Sequence, residues 1–96
     1  MKKSSLQKSN WEGNGWASVE IDSCEPGDFL IVLIQLCQSF CIPIPAVIDT
    51  LDGYATDLVI EGVVVKILMD QWTFSIAAEL EVIRDQIYLA LEKIAL

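Results

Sequence analysis

Histidine is absent from this chain, and no other gap in the composition excludes as much. A Ser-His-Asp triad, a His–Cys nucleophile pair and a His-ligated zinc site cannot be assembled from its own residues. Glycine occurs five times and proline three times, too seldom for a collagen-like or low-complexity repeat. No glycine-rich phosphate loop occurs, neither GxGxxG nor GxxxxGK followed by Ser or Thr. Basic residues are scarce: six Lys and Arg stand against fourteen Asp and Glu. Three of the six, Lys2, Lys3 and Lys8, lie in the first eight positions, so from Ser9 onward the balance is −11. Such a surface repels phosphate, which argues against nucleic acid as a partner. It leaves solubility or a basic protein partner as reasons for the acidity.

Cysteine is also sparse and odd in number: Cys24, Cys37 and Cys41. Met1–Asn10 has the Lys pair of a signal-peptide start, but only Leu6 stands where an apolar run would follow. The expectation is a flexible basic tail over residues 1–10, dispensable for stability, on a cytoplasmic protein. Cys37 and Cys41 sit four apart on an expected helix, which suits core packing and suits a disulfide poorly.

What the chain does contain is apolar material, 53% of its 96 residues. That is enough to fold, and the length fits one domain, taken as residues 11–96. Phe29–Ile48 is twenty residues without a charge. Gln35, Gln38 and Ser39 interrupt it, and Pro43 and Pro45 close it. A helix ending near Ile42 is roughly 21 Å long, short of a bilayer's ~30 Å apolar core. A buried helix is expected, and no membrane span.

Periodicity supplies the remaining elements. Trp16–Ile21 alternates, with Ala17, Val19 and Ile21 inward. A helix starts near Ser23–Pro26 and runs to about Cys41; its narrow polar stripe implies cover on more than one side. Pro45 opens a helical turn over Ala46–Leu51. Thr56–Glu61, Val63–Met69 and Trp72–Ala77 read as a meander joined by tight turns at Glu61-Gly62 and Asp70-Gln71. Ala78–Ala95 is a second helix whose apolar stripe is Leu80, Ile83, Ile87, Leu91 and Ile94. The expected fold is α+β in two layers: a four-stranded, mainly antiparallel sheet in the chain order β-α-β-β-β-α, with both helices on one face.

Candidate chemistry is thin. Asp49, Asp52 and Asp57 cluster in IDTLDGYATD, but aligning Gly53 with the glycine of an EF-hand loop puts Ile48 at its first ligand position. Ordinary turn chemistry explains these residues better than a metal site. Ser18 and Ser75 have no base available, and Lys66 reads as a cross-strand partner for Glu20, Asp57 or Glu61. No enzyme, cofactor or metal is therefore expected.

Surface aromatics and aliphatics are more informative. Trp11, Trp16, Val59, Val64 and Leu68 gather on the outer sheet face, and Ile31 and Val32 on the exposed side of the first helix. Apolar surface of that extent marks an interaction site. The expectation is a non-enzymatic interaction domain acting as a homodimer, of the inhibitor, antitoxin or immunity type, with a basic protein as a further partner. The alternative is a binder of small apolar ligands, with its pocket between sheet and helices.

Leu33, Cys37, Phe74 and Ile87 are expected in the core. Truncating Phe74 or Ile87 to Ala should cost about 2–5 kcal/mol in a denaturant melt. Losses below about 1 kcal/mol at both would show that the last strand or the last helix is phased wrongly.

Overall fold

The computed structural model describes residues 5–22, 25, 27–51, 53–71 and 73–93. The elements in chain order are β1 (Leu6–Asn10), β2 (Ala17–Ile21), α1 (Asp28–Ser39), β3 (Ile48–Asp49), β4 (Tyr54–Ile60), β5 (Val63–Met69), β6 (Phe74–Ala78) and α2 (Glu81–Glu92). The strands form one antiparallel sheet in the order β1-β2-β6-β5-β4-β3.

Alternation divides the sheet into two faces. Val19, Ile21, Leu58, Ile60, Val65, Ile67, Met69, Phe74 and Ile76 are buried on the inner face. Both helices cover that face. From α1 come Phe29, Val32, Leu33, Leu36 and Cys37, and from α2 Ile83, Ile87 and Leu91, all in one core. Their spacing of three and four residues is the stripe that lets a helix lie on a sheet. The Phe29 ring packs on Phe74 and Tyr54, with centroids 5.9 and 5.4 Å away. Among the described residues no helix is long and apolar enough to cross a membrane.

The α+β class, the antiparallel sheet and the two helices match the sequence reading, but the sheet has six strands, not four. Residues 6–10 are not a tail. They pair with β2 along their whole length, Leu6 opposite Ile21 and Asn10 opposite Ala17. The sequence signal was weak because β1 is an edge strand with one half-buried residue, Leu6. Residues 1–4 lie outside the described set.

The expected helical turn at Ala46–Leu51 is instead the short strand β3, with Ile48 opposite Ala55. The residues preceding Pro43 and Pro45 are biased to extended backbone, which carries the chain into a strand. The Thr50 amide donates to the Gly53 carbonyl at 2.9 Å to close the turn. At Gly53 a side chain would run into the Met69 carbonyl, so the close approach of these strands needs glycine.

Smaller corrections concern helix ends. α1 stops at Ser39 in a Schellman arrangement: the Ile42 amide donates to Cys37 O at 3.0 Å and the Cys41 amide to Gln38 O at 3.4 Å. Cys41 adopts a positive φ of 55° there and is exposed, not core. Leu80 precedes α2 as its N-cap and is 51% exposed, so it is not part of the buried stripe. The Glu61-Gly62 turn has positive φ at both residues, 51° and 78°, as a two-residue hairpin requires. Ser23, Cys24, Pro26, Trp72 and Ile94 lie outside the described residues.

One charged side chain ties the layers together. Arg84 on α2 is 7% exposed. Its Nη1 donates to the backbone carbonyls of Ser9 on β1 and Ser18 on β2, at 3.1 and 3.2 Å. Its Nε donates to Asp85 Oδ1 at 2.8 Å, and Nη2 lies 3.6 Å from Glu81. Glu81 and Asp85, four apart on α2, would repel one another, and the guanidinium that reaches both offsets that repulsion. Lys8 of β1 adds a second tie, 3.3 Å from Asp85 and over the Tyr88 ring.

The hydrogen bond from Arg84, helped by Lys8, holds the Asp85 carboxyl below its ordinary value of 3.8. A carboxylate lowered in this way stabilises the fold at pH above its unfolded value and loses that contribution as pH falls through the lower folded one. Replacing Arg84 with Met removes two charge-assisted hydrogen bonds to strand carbonyls and the contacts to Glu81 and Asp85, and should cost about 1.5–3 kcal/mol at neutral pH. The variant should also lose less further stability on acidification than the parent. Denaturant melts between about pH 2 and pH 7 read both effects. A neutral-pH loss under about 0.5 kcal/mol would show that α2 does not hold β1 through Arg84.

Candidate interaction surfaces

Two surfaces hold the residues that the sequence points to, on opposite sides of the molecule. One is the side of α1 turned away from the sheet, and the other is the outer face of the sheet itself.

α1 buries one stripe and leaves another in solvent. Leu30, Ile31 and Ile34 are 54, 36 and 37% exposed. Gly27, Gln35, Gln38, Ser39 and Cys41 are exposed beside them. Every exposed residue from Gly27 to Cys41 is therefore uncharged. The helix has one charged residue, Asp28, which is buried and accepts the Glu25 amide at 2.9 Å. α2 differs in charge: its exposed Val82 and Leu89 stand beside the exposed Glu81 and Glu92. Sequence reasoning named Ile31 and Val32 for this surface. Ile31 is on it, whereas Val32 is wholly buried, because helical rotation turns it with Phe29 and Leu36 into the core. Leu30 and Ile34 were missed; both follow from placing the stripe one residue earlier.

The outer sheet face falls into two parts. Over β2 and β6, Trp11 and Trp16 close it. The two indoles lie nearly parallel, with centroids 6.4 Å apart and planes 5° apart. They sit at the end of the β1–β2 hairpin, where the Trp11 amide donates to Trp16 O at 2.9 Å. Trp11 Nε1 donates to Ser75 Oγ at 2.7 Å. The Ser75 and Ser18 hydroxyls each donate to Glu20 Oε2, both at 2.7 Å. Ser18, Ser75 and Ala77 are consequently buried, which the reading of an open outer face did not anticipate. Trp11 and Trp16 are half-buried covers for this part.

Over β3, β4 and β5 the face is open. Register sets Ile48, Ala55 and Leu68 in one row across the strands, and Val59 and Val64 in another. Ile48 is 66% and Val59 58% exposed, while Val64 and Leu68 are partly covered. Between the rows Lys66 Nζ lies 3.5 Å from Asp57 Oδ1, so Asp57 is the partner that Lys66 takes. The sequence reading placed Val59, Val64 and Leu68 here and missed Ile48, which it had assigned to a helical turn.

Cys37 donates its thiol to Pro43 O at 3.7 Å, and burial pushes the thiol's pKa up. Among the described residues no group of three His, Cys, Asp or Glu is placed to hold a metal ion. Asp49 and Asp57 are exposed, and Asp52 lies outside the described residues. No family model, curated protein or solved structure matches this chain.

The Cys37 thiol on α1 and the Cys41 thiol just beyond it differ enough to be told apart. In a Cys24→Ser background at submicromolar protein, Cys41 should be labelled by a maleimide within minutes. Cys37 should stay protected until global unfolding. Equal labelling of both in the native protein would show that α1 is rotated or frayed.

Proposed function

We propose that this chain is a non-enzymatic protein–protein interaction domain that acts as a homodimer, paired through the exposed side of α1. A single observation carries the reading: an uncharged helix face with Leu30, Ile31 and Ile34 at its middle, on a protein of net charge −8. Two acidic copies repel one another unless the surface they share carries no charge. A basic partner, by contrast, would be met by carboxylates, and this stripe exposes none.

A two-fold crossing centred on Ile31 and Ile34 buries the same apolar patch on both copies and leaves Gln35 and Gln38 at the rim. The helix spans about 18 Å, and packed helices approach to about 8–10 Å. One helix pair buries less than the ~800 Å² per partner of a standard interface, so micromolar dissociation is expected. A small acidic domain of this kind suits a blocking role, as an inhibitor, antitoxin or immunity-type protein.

Sedimentation equilibrium at tens of micromolar tests the pairing. The parent should run at twice the chain mass, and Ile34→Lys, at a surface position, at the chain mass with its melting temperature kept. A clean monomer for the parent, or a dimer that survives Ile34→Lys, would contradict it.

A further inference from the structure

The outer sheet face differs from the α1 stripe in charge, and the difference identifies another occupant. We infer that the open face over β3, β4 and β5 docks a basic, amphipathic protein segment. Two apolar rows cross it, Ile48, Ala55 and Leu68 in one and Val59 and Val64 in the other, on either side of the Asp57–Lys66 pair. Carboxylates flank it. Glu61 stands at the tip of the β4–β5 hairpin beside Val59. Glu79 is fixed against Val64, its backbone N–H donating to Val64 O at 3.3 Å and its Oε1 accepting the Val64 amide at 3.1 Å. Asp57 lies between the two rows. Among the described residues Lys66 is the one amino group on this face, and it is already engaged with Asp57.

Apolar rows flanked by the Glu61 and Glu79 carboxylates complement a segment that carries Lys or Arg beside aliphatic side chains. The same carboxylates repel nucleic-acid phosphate and anionic lipid, which sets those classes aside. A second copy is disfavoured as well, because two such sets of carboxylates would face each other. Trp11 bounds the patch where its indole reaches Ser75, next to Leu68 in the sheet. A segment seated over β3–β5 would therefore lie against an aromatic edge, a contact that favours cationic side chains.

This docking is independent of the α1 pairing, since the two surfaces lie on opposite sides of the molecule, and the experiment separates them. The ¹⁵N-labelled full chain is titrated with a peptide of alternating Lys and Leu, then with oligolysine and with alternating Glu and Leu. Saturable shifts are expected at the amides of Ile48, Ala55, Val59, Val64 and Leu68 with the Lys-Leu peptide, weaker binding with oligolysine and none with Glu-Leu. Val59→Lys and Leu68→Lys, with their fold verified by circular dichroism, should each weaken binding about tenfold or more. Ile31→Lys on α1 should leave it unchanged. Shifts that map to α2, equal binding of oligolysine, indifference to Val59→Lys, or no saturable binding would each overturn the proposal. A monomer that still binds the peptide contradicts only the α1 pairing; a dimer that does not bind it contradicts only this docking.

Discussion

The apolar inner face of the six-stranded sheet is what every other element depends on. Val19, Ile67, Phe74 and Ile76 line it, and α1 and α2 exist as ordered helices because each lays a stripe on it. Short helices of about twelve residues are marginal alone in water, so their stability is borrowed from this packing. The geometry also sets a limit. Two helices have two buried stripes, and a chain that is 53% apolar has more material than one such layer can hide. Part of the surplus lies on the far side of α1 and on the outer face of β3–β5, and part at Leu80, Val82 and Leu89 of the α2 segment.

Polar chemistry in the structure serves mainly to lock this arrangement. Arg84 satisfies carbonyls of two strands from a helix, so β1, β2 and α2 form one unit despite the weak apolar content of β1. On the opposite face Trp11 closes the sheet over Ser18, Ser75 and Glu20 with a continuous set of hydrogen bonds. Among the described residues no buried side-chain nitrogen or oxygen lacks a partner. Ser18, Ser75 and Lys66 are thus engaged in contacts between or along strands.

Much of this was legible from period alone. Val63–Met69 has the bounds that the alternation predicts, and the core positions Leu33, Cys37, Phe74 and Ile87 are buried as the helical and strand phases require. The two missed strands share a physical cause. β1 and β3 are edges, held by backbone pairing and by contacts from distant residues such as Arg84, and neither carries a run of alternating apolar side chains. Val32 was misplaced because α1 is apolar nearly all round, so its sequence shows no gradient to fix the rotation of the helix. Glu61 follows Val59 on one strand face by alternation, whereas Glu79 reaches Val64 only through contacts between distant parts of the chain.

The leftover surfaces differ in one respect that decides their use. The α1 stripe has no charge and suits an identical acidic copy, whereas the outer face is flanked by carboxylates. The pairing of α1 with itself is most directly tested by the ¹H–¹⁵N spectrum of the parent chain over a dilution series from millimolar to low micromolar protein. Concentration-dependent shifts should be confined to Gly27, Leu30, Ile31, Ile34, Gln35, Gln38 and Cys41, with the amides of β3–β5 unmoved. Shifts centred on Ile48, Val59 and Leu68, or a spectrum unchanged across the series, would contradict it.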